Sequence, residues 1–133
     1  MRVITVGNGG RRALRSQDDR AYADVYLTNP TTGARSPTYE CLVDTGSDYT
    51  ILPMSAASVI GINPDGKPVT LYFPNGASDT LRSHSQVELV IENYQLTRTV
   101  LFSEASAFIP IIGRQELVSA FDFGFDTLNW YWG

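Results

Sequence analysis

Residues 40–53 read ECLVDTGSDYTILP, and the reading of this stretch decides how the rest of the chain is understood. Cys41, Leu42 and Val43 form an apolar run that delivers one acid, Asp44, into a tight Thr-Gly turn. A second apolar run, Ile51 and Leu52, follows closely. Burying both flanks of a carboxylate is unfavourable unless it is hydrogen-bonded or shares its charge with a partner, which marks the turn as a working site. Gly46 lets backbone amides crowd the carboxylate, Thr45 is able to bond to backbone through its hydroxyl, and Ser47 puts a second hydroxyl close to Asp44. An ordinary surface turn also uses such residues, but it has no need of apolar neighbours on both sides.

LVDTGSDYTILP resembles the active-site loop of the retropepsin-like aspartic peptidases, and PIIGRQELVSAF, residues 110–121, resembles the second signature of that family. DTG alone is a weak match; order, spacing and flanks together carry the resemblance, which runs element by element over roughly residues 20–130. It implies an all-β, mainly antiparallel fold, the retropepsin-like acid-protease barrel, with a flap hairpin and one short C-terminal helix. It implies that Asp44, Thr45 and Gly46 are catalytic, and that Ile111, Ile112 and Gly113 pack beside the catalytic loop as structural support. Arg114, which follows them, opens the helix and pairs with Asp48. Ser47, Asp48 and the flap tip at Asn75, Gly76 and Ala77 are implied to contact substrate. Chain ends in this family interleave with those of a second subunit, so residues 2–6 and 127–132 are assigned to a dimer sheet.

Composition agrees with a compact soluble class. The chain has 133 residues, enough for one domain that buries about two-thirds of its unfolded surface. Hydrophobic content of 43% and charged content of 18% are those of an ordinary globule. The net charge is −4 and the basic residues are scattered apart from Arg11, Arg12 and Arg15, which argues against a nucleic-acid partner. No apolar run is long enough to cross a bilayer, and the apolar stretch at the start is too short for a secretion signal. Cys41 is the one cysteine; within an apolar run it reads as a small buried hydrophobe. With no disulfide and no permitted glycosylation sequon, the chain fits a reducing compartment such as the cytoplasm. His84 is the only histidine, so no histidine metal cluster is available, and neither metal nor cofactor is expected.

Along the chain, RVITV at 2–6 reads as a strand and residues 7–19 as a mobile loop whose arginines face solvent. Residues 21–28 alternate like a strand, and turn formers at 29–37 lead into TYECLV, giving a hairpin that feeds Asp44. Pro53 and Gly61 bracket a short helix. VTLYF, the Asn75-Gly76 turn and the return through residues 81–92 form the hairpin assigned to the flap. A further strand covers 95–102, and residues 103–108 form a loop. Leu117, Val118 and Phe121 have helical spacing. Asp122, Asp126, Glu88 and Glu92 read as solvated charges, and NWYW as a packed terminal strand.

Hydrolysing a peptide bond without metal or covalent intermediate needs one group to deprotonate water and another to protonate the carbonyl oxygen. Two carboxylates in contact do both, because they hold one proton between them. Only one such loop occurs here, so a homodimer that brings Asp44 to its own copy is the simplest arrangement. Thr45 would brace the two loops. A Ser47 hydroxyl donated to the carboxylate would favour its ionised form and gives the expectation of an acidic optimum. The expected activity is that of an aspartic endopeptidase acting on an extended polypeptide. The alternative is a catalytically silent module of the same fold that binds peptide or dimerises.

Overall fold

The structure, a computed structural model, describes residues 10–72, 74–105, 109–120 and 122–133. It is mostly β, with ten strands and two short helices among the described residues. The expected strand at residues 2–6 lies outside them.

The larger sheet has seven strands in the order β2-β3-β8-β4-β7-β6-β5. They are β2 (Tyr22–Thr28), β3 (Tyr39–Asp44), β4 (Ile51–Pro53), β5 (Pro68–Tyr72), β6 (Ser78–Ile91), β7 (Tyr94–Ser103) and β8 (Ile111–Gly113). An additional antiparallel pairing of β2 with β6, Val25 opposite Ile91, closes six of the strands into a ring and leaves β5 as an outlying arm on β6. Most neighbours are antiparallel; β3 with β8 and β4 with β7 run parallel. The period-two alternation of β2 turns Ala23, Val25 and Leu27 inward, and Val87, Leu89 and Ile91 of β6 meet them in the core.

Helix α1 (Met54–Val59) follows β4 directly. Pro53 sits at its N-cap with φ −66, a value its ring imposes, and Ala56 and Ala57 pack into the core. Helix α2 (Arg114–Ala120) follows β8. Of the side chains expected on its inner face, Leu117 is buried, Val118 is 61% exposed, and Phe121 lies outside the described residues. Glu116 is buried in Val118's stead.

The second sheet corrects two expectations. β1 (Gly10–Ala13), β10 (Asn129–Trp132) and β9 (Phe123–Phe125) form three strands in the order β1-β10-β9. Part of the stretch read as a mobile loop is therefore a strand, and the C-terminal strand assigned to a dimer sheet has both edges occupied by its own chain. Charge explains the first point: Arg12 reaches Asp24 at 3.0 Å, Glu40 at 2.7 Å and Glu92 at 3.4 Å, fastening β1 across the ring. Glu92, expected in solvent, also accepts the Asp24 N–H. Aromatic packing explains the second: Trp130 and Trp132 stack at 4.4 Å, and the Trp130 indole N–H donates to the Tyr22 carbonyl at 3.0 Å.

Several other charges are also tied down. Arg15 pairs with Asp18 at 2.6 Å and bonds to the Tyr22 hydroxyl, which itself donates to Asp18. The Arg15 guanidinium is the main cause holding the Asp18 carboxyl down at about 2. Asp126, another expected solvent charge, closes the β9–β10 turn by accepting the Leu128 and Asn129 N–H groups, each at 2.7 Å. The Tyr131 hydroxyl, also donating to Asp126, is the first cause lowering that carboxyl. His84 on β6 places Nδ1 3.3 Å from the Asp65 carboxylate.

Candidate active site

Asp44 ends β3, and its position follows from how β3 is paired. Leu42, Val43 and Asp44 lie opposite Ile111, Ile112 and Gly113 of the parallel strand β8. Ile111 also faces Ile51 of β4, so β8 is wedged between the strand that enters the Asp44 loop and the strand that leaves it. Val43, Ile51 and Ile112 are buried, which fixes the depth of both motifs in the ring. Backbone bonds then lock the loop: Arg114 N–H donates to Ser47 O at 2.7 Å, and Ser47 N–H to Asp44 O at 3.2 Å. The carboxylate accepts the Gly46 N–H on Oδ1 at 3.0 Å. The expected crowding of Asp44 by backbone amide is present in this bond.

The structure brings together most of the residues singled out in the sequence. Arg114 Nη2 meets Asp48 Oδ1 at 2.8 Å, the expected guanidinium–carboxylate contact, with both side chains largely exposed. Ser47 departs from expectation. Its Oγ donates to the Tyr49 carbonyl at 2.8 Å, two residues on, and the hydroxyl stabilises the loop's own backbone where a bond to Asp44 was expected. That removes the ground on which an acidic optimum was expected. Thr45 is exposed at the loop's outer end.

Two residues that the sequence reading passed over complete the support. Thr50 is fully buried and its Oγ1 accepts the Gly113 N–H at 3.1 Å. Glu116 is only 2% exposed, and its Oε2 has no hydrogen-bond partner among the described residues. Burial pushes the Glu116 carboxyl up from its ordinary range. The sequence held one signal for Thr50, a hydroxyl residue inside an apolar run. It held none for Glu116, because an acid in the first turn of a helix is ordinarily solvated.

An open cleft of about 500 Å³ lies at the loop, lined by Asp19, Arg20, Asp44, Thr45, Phe125 and Asp126 among others. Asn75, Gly76 and Ala77 sit at the tip of the β5–β6 hairpin and do not line this cleft. Asn75 Oδ1 accepts the Ala77 N–H at 2.9 Å and closes the tip. Cys41 is buried beneath the site, with its thiol pushed up by desolvation, so it is no nucleophile. Among the described residues no cluster of His, Cys, Asp and Glu is arranged to hold a metal ion, and no helix is long and apolar enough to cross a membrane.

The chemistry available at the loop is that of the Asp44 carboxylate, partly exposed, held by a backbone N–H and open to a cleft that Asp19 and Asp126 also line. Neither a scan against protein-family models nor a search of curated protein sequences finds a match for the chain.

Proposed function

We propose that the protein is an aspartic endopeptidase of the retropepsin-like type, active as a homodimer in which two copies of Asp44 share one proton. The observation that carries this reading is the pairing of Asp44 with Gly113 across parallel strands, which holds the Asp44 carboxylate at an open cleft. Half of an acid pair is present in each chain, and a two-fold axis supplies the other half.

In the proposed reaction the ionised Asp44 of one subunit takes a proton from water while the protonated Asp44 of the other donates to the scissile carbonyl oxygen. The gem-diol so formed collapses as the amine leaves with a proton from the pair. Thr45, exposed at the outer end of the loop, would brace one loop against the other. An extended peptide would lie under the β5–β6 hairpins, held by main-chain hydrogen bonds with alternate side chains in opposite pockets. Because the two titrations belong to the pair, the pH–rate profile is expected to be bell-shaped.

The test is cleavage of a mixed peptide library from acidic to neutral pH, with sedimentation to follow the dimer. Asp44→Asn should lower the rate about 10²- to 10⁴-fold while the protein stays folded. Dimers that cut nothing at any pH would leave the silent binding module as the better reading.

A further inference from the structure

The two outer edges of the sheet β1-β10-β9 differ. On β9 the ladder to β10 is fixed by Asp122 and Gly133, which exchange both backbone bonds at 2.9 Å, and by Asp126 N–H donating to Asn129 O at 3.0 Å. In an antiparallel pair bonded and non-bonded positions alternate, so the N–H and C=O groups of Phe123 and Phe125 point away from β10. Among the described residues no other strand pairs with them. Sheets commonly blunt such an edge with a cation or a proline, and β1 carries the exposed Arg11. β9 is short but has neither device: it reads Phe-Gly-Phe, with Asp122 before it and Asp126 after it.

Charge and position say what fits there. Asp122 and Asp126 are both exposed and share the sheet face of Gly124 and of Tyr131 opposite it. Asp126 keeps its charge while accepting from the Tyr131 hydroxyl, the first cause lowering its carboxyl; Arg11, two strands away on that face, offsets part of that charge. Phe125, on the other face and 49% exposed, lines the Asp44 cleft, where Asp19 and Asp126 outnumber the cation Arg20. We propose that the β9 edge is an exosite for an extended polypeptide segment with Lys or Arg at two positions four apart. The segment adds as a fourth strand on Phe123 and Phe125, completes four main-chain bonds, and sets its cations against Asp122 and Asp126. Because Phe125 borders the cleft, a segment held there is brought to Asp44. That the segment is a substrate rests on the peptidase reading; that it binds rests on the edge alone. A second copy of β9 fits less well, because a two-fold axis at Gly124 would set Asp122 of one copy against Asp126 of the other.

The probes are two peptides, one with Lys-Val-Thr-Val-Lys at its centre and one with Glu in place of both lysines. Each is titrated into the Asp44→Asn protein, which leaves it uncut, and followed by amide NMR. The lysine peptide should shift the N–H signals of Phe123 and Phe125 and bind about 10-fold tighter than the glutamate peptide, since two cross-strand pairs turn from attractive to repulsive. Added salt should weaken the lysine peptide alone. Methylating the two valine nitrogens, which face the Phe123 and Phe125 carbonyls in this register, should abolish binding. Asp122→Asn keeps the backbone bonds to Gly133 and should lower affinity for the lysine peptide about 2- to 5-fold without weakening the glutamate peptide.

Equal affinity for the two peptides, binding that survives methylation, or no shift at Phe123 and Phe125 with either peptide overturns the exosite. So does self-association that moves the same two signals with protein concentration, which would give the edge to a second copy. Cleavage separates this inference from the peptidase reading. In the wild type a substrate carrying the lysine segment should show a KM about 10-fold below one carrying glutamate, at similar kcat. If nothing is cut, the peptidase reading fails, yet lysine-selective binding to Asp44→Asn still upholds the edge site. If both substrates are cut with the same KM, the exosite fails and the peptidase reading stands.

Discussion

The Asp44 loop and the tip of the β5–β6 hairpin are built on the same local device, an Asp or Asn side chain accepting the backbone N–H two residues on, at 3.0 Å from Gly46 and 2.9 Å from Ala77. Their surroundings differ. The first turn is pressed between β8 and the buried Thr50, and the backbone of Tyr49 leaves no room at Gly113. The second stands in water, with Tyr72 beside it 81% exposed. One turn is held by the whole ring and the other by itself alone. The acid proposed to do chemistry sits on the first, where its position is over-determined, and the segment proposed to open and close over substrate sits on the second.

Substituting the two glycines separates these kinds of turn. Gly113→Ala should have the largest effect, a loss of about 1–3 kcal/mol or more, because a Cβ meets rigid backbone at 2.4 Å. Urea unfolding measures it, and an unchanged midpoint would remove the steric half of the comparison. Gly76→Ala should cost about 1 kcal/mol from the φ of +85 alone, since nothing lies within 4 Å of the added carbon. A cost at Gly76 as large as that at Gly113 would mean the hairpin tip is also packed against something. Arg114→Ala should matter least for a single subunit, under about 1 kcal/mol by thermal melting, because its pairing with Asp48 is largely exposed. A clearly greater rise in the dimer dissociation constant than in unfolding would assign the pair to the subunit interface.

What was legible in the sequence was what neighbours in sequence or closely spaced motifs determine. The Asp44 turn closes on Gly46, the Asn75 turn on Ala77, and the β2–β3 hairpin on turn formers between its strands. The contact of Asp48 with Arg114 was legible through the family resemblance. The terminal sheet was not. GRRA has no strand propensity, and it becomes β1 because three acids from distant segments converge on Arg12. Helix α2 misled for the opposite reason: its apolar spacing pointed to Val118, whereas the ring accepted an acid, Glu116, whose burial no pattern of hydrophobicity records. Ser47 was placed correctly and its bond was not, because a hydroxyl chooses among nearby acceptors by geometry that the sequence leaves open.

The stacked indoles of β10 have a practical corollary. Both tryptophans of the protein lie in that one strand, 4.4 Å apart and tilted by 36°, so fluorescence excited at the red edge and any exciton couplet in circular dichroism arise from a single spot. The seam between β1 and β10 thus carries its own optical label, and its opening can be timed apart from the melting of the ring.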